Sequence, residues 1–291
     1  MPRLLKPRHL AYLFLLLNAA LWGISPPIIK NSLSNISPSA FLFFRYLLAT
    51  FLFLPIFLKH KNYHQHKTKP WLLISLALLG TPLTLYPLFL GLNLTSSMEG
   101  SIIESSSPMF TILGGLIFLH EVIKPKEWVG LIVAIAGTFL LTAEPLLTGN
   151  HATFTSFSGN LLIVFSNIIW AAFLLLSKKT KTNPTQLTFY SFLVSIPFFL
   201  LLNLSEGKLS LPHPGALPGI LYMAIFGSIV AFWAYQEGQK RIEASEAAVF
   251  SYLKPLFTLP LAIFWLRETI SPITWISALI IALGVYISEK R

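Results

Sequence analysis

PMFT at 108–111, LHE at 119–121 and PKEW at 125–128 return later in the chain as PLFT at 255–258, LRE at 266–268 and PITW at 272–275. The offset is a constant 147 positions, and it pairs Pro108, Phe110, Thr111, Leu119, Glu121, Pro125 and Trp128 with identical residues. At the same ungapped offset Glu99 finds Glu246, Gly137 finds Gly284, Gly80 finds Gly227 and Gly91 finds Gly238. The second half therefore repeats the first. Each half holds five apolar stretches of membrane length, and an odd number turns the second copy upside down in the bilayer. Inverted repeats place a site at their interface, near the midplane, that opens to either side. The expectation is an all-α membrane protein of ten transmembrane helices in two inverted five-helix repeats, residues 1–145 and 157–291, joined by an outer linker at 146–156.

Composition agrees. Of 291 residues 54% are apolar and only 11% charged, against about a quarter charged in soluble domains. The apolar stretches run near 10–30, 38–58, 71–92, 97–119, 127–143, 158–177, 185–203, 216–237, 246–266 and 273–288, each about the length that crosses a ~30 Å hydrocarbon core. Backbone in lipid satisfies its own hydrogen bonds, so the spans are read as helices.

In a soluble chain a net charge of +10 would suggest nucleic acid. Its placement says otherwise. With the N-terminus inside, 16 basic residues fall on inner segments and only Lys30, Lys208 and Arg267 on outer ones. The positive-inside rule then puts both termini in the cytoplasm. The expected location is the plasma membrane, the inner membrane in a bacterium. The partners expected are lipid and a small-molecule substrate, with no nucleic acid. No cysteine is present, which excludes disulfides and thiol chemistry. The first apolar stretch follows basic residues but lacks a small-residue cleavage site, so it is read as a mature span.

Some polar residues have plain structural readings. His60, His64 and His66 share a basic inner loop without Cys or carboxylate, so no metal is expected there. Ser96-Ser97-Met98-Glu99 opens the fourth span as a capping box, and Glu246 takes the equivalent place in the ninth. Glu121 and Glu268 are read as helix ends. With Trp22-Gly23 near the first span, Arg45-Tyr46 in the second and the paired Pro…Leu-x-Glu…Pro-x-x-Trp blocks, the chain resembles the EamA family of the drug/metabolite transporter superfamily. The resemblance covers essentially the whole chain. It implies a ten-helix inverted-repeat carrier, termini inside, that exports or exchanges small metabolites such as amino acids, purines or cationic drugs. Fold does not choose the cargo. The chain departs from the family pattern at Lys254, where an apolar or acidic residue is expected, and at Glu104, in a run that is usually apolar.

A charge inside a span needs a partner, a wet cavity or a task. Three qualify: Arg45, Glu104 and Lys254. Arg45 is read as structural, bound at a helix end, with substrate contact as the alternative. Glu104 and Ser107 share a helix face by three-residue spacing, as do Ser251 and Lys254 in the equivalent span. If the two helices face one another, the charges meet, either as a structural ion pair or as a cavity pair that a zwitterion replaces charge for charge. Pro108 and Pro255 each remove a backbone hydrogen bond and kink these spans.

The aromatics Trp22, Tyr86, Trp170 and Trp233, with Asn18 and Asn167, are expected to line a central chamber with Glu104, Ser107, Ser251 and Lys254. Trp71, Trp128 and Trp275 are read as interfacial anchors. No nucleotide-binding P-loop is present, and no cofactor is implied. Every histidine lies at or beyond a helix end, which argues against an intramembrane enzyme. The reading is a secondary carrier of a small metabolite, an amino acid or similar zwitterion, with proton or counter-substrate coupling. The alternative is an exporter of an anionic metabolite held by Lys254 and Arg45.

Overall fold

The computed structural model describes residues 7–59, 69–119, 125–148, 153–180, 182–207, 211–239, 241–242 and 250–289. The expectations at His60, His64, His66, Glu121 and Glu246 fall outside these residues. The described chain is helical, without a strand. Helix α1 spans Pro7–Leu33, α2 Pro38–Lys59, α3 Pro70–Gly80, α4 Pro82–Leu94, α5 Ser97–Ser105, α6 Ser107–Leu119 and α7 Pro125–Thr148. Then follow α8 at Thr153–Thr180, α9 at Pro184–Glu206, α10 at Leu217–Tyr222 and α11 at Ala231–Gln239. Last come α12 at Lys254–Pro260 and α13 at Pro272–Glu289.

Among the described residues eight rods are long and apolar enough to cross a membrane, with α3–α4, α5–α6 and α10–α11 each counting as one broken rod. They coincide with the first eight expected spans. The ninth is described only as short pieces: a 3-10 turn at Phe250–Leu253, α12, and a π-helical turn at Leu261–Trp265. In the tenth, α13, the apolar part is Pro272–Gly284. Outward faces carry large apolar side chains, Phe51 at 73% and Phe264 at 83% exposure, a surface that fits lipid and not water.

Breaks follow the sequence locally. Pro108 has no N–H to give to the Glu104 carbonyl, so the helical ladder lapses ahead of it. The helix stops at Ser105, and Ser106 caps it with its N–H on the Ile103 carbonyl at 3.1 Å. The counterpart break stands at Leu253, just ahead of Pro255, where 3-10 geometry gives way to α12. Between α10 and α11 the helix widens to a π-helix at Met223–Val230, and the Ser228 hydroxyl donates five residues back, to the Met223 carbonyl.

The two halves of the chain are interleaved. Helix α8 lies on α4, and α1 lies on α11. At the first crossing a Cβ on Gly91 would stand 2.5 Å from Ile163 Cγ1 and 2.6 Å from the Gly159 carbonyl. At the second, one on Gly238 would stand 2.5 Å from Leu15 Cγ and 3.2 Å from the Ala11 carbonyl. Only glycine permits either approach. The same reciprocity governs polar contacts. Ser166 donates to the Thr84 carbonyl at 2.7 Å, and Asn18 donates to the Ala231 carbonyl at 2.9 Å. Helix α2 packs on α9, and α7 on α13, where Gly137 meets Ile281 and Gly284 meets Ala134. The aromatic core sits between α2, α4 and α9, built on fully buried Phe41, Tyr46, Phe89, Phe192 and Phe199.

Candidate functional site

The two broken helices meet. Lys254, first residue of α12, donates from Nζ to Glu104 Oε1 at 3.0 Å, with Glu104 in the last turn of α5. The lysine side chain is 5% exposed and the glutamate 21%, so the carboxylate is the more accessible partner. The ammonium also stands 4.9 Å from the centre of the Trp22 ring on α1, a cation–π contact. Close approach of α1 to α12 is secured at Gly23, where a Cβ would strike the Lys254 carbonyl and would lie 2.8 Å from Phe257 Cβ. Thr258 fastens the crossing: its hydroxyl donates to the Gly23 carbonyl at 2.5 Å and lies 2.7 Å from Ser101 Oγ on α5.

Trp22 is held from behind. Its indole N–H donates to the Gly227 carbonyl of the π-helix at 3.0 Å. Its ring meets Phe232 edge-on at 5.5 Å and Tyr235 at 5.8 Å. Trp170 on α8 joins this aromatic group through Phe232, 6.5 Å between centroids.

Other expected site residues have separate duties. Asn18 is buried, with Nδ2 on the Ala231 carbonyl. Asn167 is buried on α8 and donates to the Ile103 carbonyl at 2.7 Å, beside the break in the fourth span. Ser107 is buried at the start of α6, and its carbonyl receives Thr111 Oγ1 at 3.4 Å. Ser251 sits half-buried in the 3-10 turn ahead of Lys254. Tyr86 turns elsewhere, its hydroxyl donating to Glu206 Oε1 at 2.7 Å, while Ser39 holds Oε2 at 2.9 Å.

Trp233 is not brought to the group. It is 52% exposed and meets Phe14 edge-on at 5.0 Å on the outer surface. Its neighbour Phe232 takes the inward position. The π-helix just upstream accounts for this, because each π turn shifts all later residues around the helix axis relative to an α-helical count. The Asn18 contact also has Ser166, not Asn167, as its counterpart: α8 repeats α1 at a spacing of 148, as Trp22 and Trp170 do.

Arg45 is buried on α2, with Nε on Ser228 Oγ at 3.0 Å and its guanidinium over the Tyr46 ring at 5.0 Å and the Phe89 ring at 5.8 Å. Glu268, expected to be a helix end, accepts the Ser97 and Met98 N–H groups at 2.8 and 3.1 Å and so caps α5 from across the molecule. Glu99 fills the third helical position: its N–H goes to Ser96 Oγ at 3.1 Å, and its carboxylate takes Asn160 Nδ2 at 3.0 Å. Sequence reading passed over Ser101 and Ser228, and named Gly23 only as part of the Trp22-Gly23 motif. Thr258 was visible there only as one half of the Thr111 repeat identity. Among the described residues no three His, Cys, Asp or Glu side chains stand together as a metal site would require.

The described helices thus form a bundle of membrane-length apolar rods with an ion pair between two broken helices. The EamA-like transporter family matches residues 9–143 and again 157–289, and the chain belongs to that family. An uncharacterized transporter of Archaeoglobus fulgidus is 27% identical over 285 residues, covering 96% of this chain and 97% of its own. A probable amino-acid metabolite efflux pump of Escherichia coli is 26% identical over 291 residues, covering 94% and 92%. One solved structure superposes with a TM-score of 0.72 at 17% identity, over 97% of this chain and 98% of the other, a likeness of fold.

Proposed function

We propose that this transporter is a secondary carrier of ten spans in two inverted repeats, and that it moves a small zwitterionic metabolite of the amino-acid class by alternating access. The observation that carries this reading is the 3.0 Å pair of Glu104 and Lys254 beneath the Trp22 ring. A cargo ammonium takes the place of the lysine at Glu104 and the Trp22 face, and a cargo carboxylate takes the place of Glu104 at Lys254. The protein's own pair then closes the empty site, and the cargo opens it. Coupling is to protons or to a counter-substrate, with Glu104 the proton site. Reciprocal contacts such as Gly91 with Ile163 and Gly238 with Leu15 support the repeat reading, and the breaks at Ser106 and Leu253 supply paired hinges. The E. coli relative's name supports the amino-acid class. The location proposed is a bacterial-type inner membrane with both termini cytoplasmic. The test is counterflow of labelled amino acids, nucleotides and amines in proteoliposomes. Amino-acid exchange that disappears in Glu104→Gln is expected; exchange confined to nucleotides or amines contradicts the reading.

A further inference from the structure

Arg45 is only 3% exposed, and its one hydrogen bond runs from Nε to Ser228 Oγ. Among the described residues Nη1 and Nη2 have no acceptor. The serine proton is itself committed to the Met223 carbonyl, so Ser228 presents its lone pair and fixes the guanidinium by that edge. The opposite edge, the two-nitrogen fork that matches a carboxylate, is left open. The Tyr46 and Phe89 rings flank it, but a cation taken out of water ordinarily needs an anion as well as aromatic faces. Tyr46 adds a further unmet donor, since its enclosed hydroxyl has no partner among the described residues.

Arg45 is joined to the pair through its neighbours: Ser228, which holds Nε, follows Gly227, whose carbonyl accepts the Trp22 indole N–H, and the Trp22 ring faces the Lys254 ammonium. Glu104 is committed to Lys254. The cluster thus holds two cations and one carboxylate.

Resting on the carrier reading above, we propose that Arg45 is the carboxylate receptor of the cargo site and that the cargo is net anionic, an acidic amino acid. One ammonium meets Glu104, and two carboxylates meet Lys254 and Arg45, so no buried charge stays unmatched. A neutral amino acid leaves one cation without a partner.

The test is uptake by the full-length protein in liposomes of L-glutamate and three probes that each lack one of its charges: L-glutamine, γ-aminobutyrate and glutarate. L-aspartate, asparagine, β-alanine and succinate form the parallel set. The wild type is expected to favour glutamate or aspartate at least tenfold in kcat/KM over every member of its set. Arg45→Gln is expected to lose that preference through KM, with transport of the doubly carboxylated amino acids falling far more than that of the singly carboxylated probes. Arg45→Lys, which keeps the charge without the fork, is expected to raise KM and spare kcat. Equal wild-type transport of neutral and acidic amino acids overturns the Arg45 assignment and leaves the carrier reading standing. So does an Arg45→Gln defect that lowers all probes in proportion. Competition by inorganic phosphate stronger than by glutamate also overturns it. No flux of any amino compound overturns both.

Discussion

Lys254 makes two contacts with one ammonium, a charged hydrogen bond to Glu104 and a face contact with Trp22. Removing it strands a carboxylate in low dielectric, and breaking a buried pair this way costs roughly 3–5 kcal/mol. Because Glu104 is about one-fifth exposed, Lys254→Ala is expected to cost at the low end of that range. The neutral pair Glu104→Gln with Lys254→Met is expected to recover most of it, since replacing both ions by neutral groups is often tolerated. Thermal unfolding in detergent checks both, and a double variant as unstable as the single one contradicts the pairing. This pair was legible in the sequence, because a charge two turns into an apolar span is costly and its repeat-related helix carried the opposite sign. Trp233 was not. Its inward position passed to Phe232 through a π-helix that no periodicity count at 3.6 residues per turn registers. Nor did spacing reveal that Asn18 and Asn167 would donate to backbone carbonyls of other helices, since both look alike as polar residues on an apolar face.

At the level of the element, the break in the fourth span belongs to the Ser105-Ser106-Ser107-Pro108 run. Proline at 108 was a legible kink, but the Asn167 contact with the Ile103 carbonyl at that stop comes from a partner more than sixty residues away. Pro108→Ala returns an N–H to the Glu104 carbonyl. A proline inside a helix costs about 3 kcal/mol or more against alanine, and the existing break has already absorbed part of that. The variant is expected to melt higher by a part of this amount and to transport more slowly, because a mended helix resists bending at the hinge. Faster or unchanged transport with a higher melting temperature contradicts the hinge role. The ninth span is described here in short pieces rather than one rod, and the 147-residue repeat indicated its position more clearly than its shape.

For the whole molecule, the spacing of 147 predicted two halves but not that each helix would find its closest neighbours in the other half. That pattern comes from glycine crossings such as Gly91 and Gly238, which the sequence presents only as conserved spacing between copies. The basic residues predict the orientation: tags at both termini are expected to be cytoplasmic, and a cysteine placed at Thr153 to react from the opposite side only. Labelling at Thr153 from the cytoplasmic side contradicts the ten-span arrangement. The central claim is that cargo replaces the Glu104–Lys254 pair, and the most direct measurement is amino-acid counterflow by the charge swap Glu104→Lys with Lys254→Glu. The swapped protein is expected to fold with near-normal thermal stability, because the pair is kept, and to lose counterflow, because the polarity presented to the cargo is reversed. Full counterflow in the swapped protein would show that neither side chain touches the cargo.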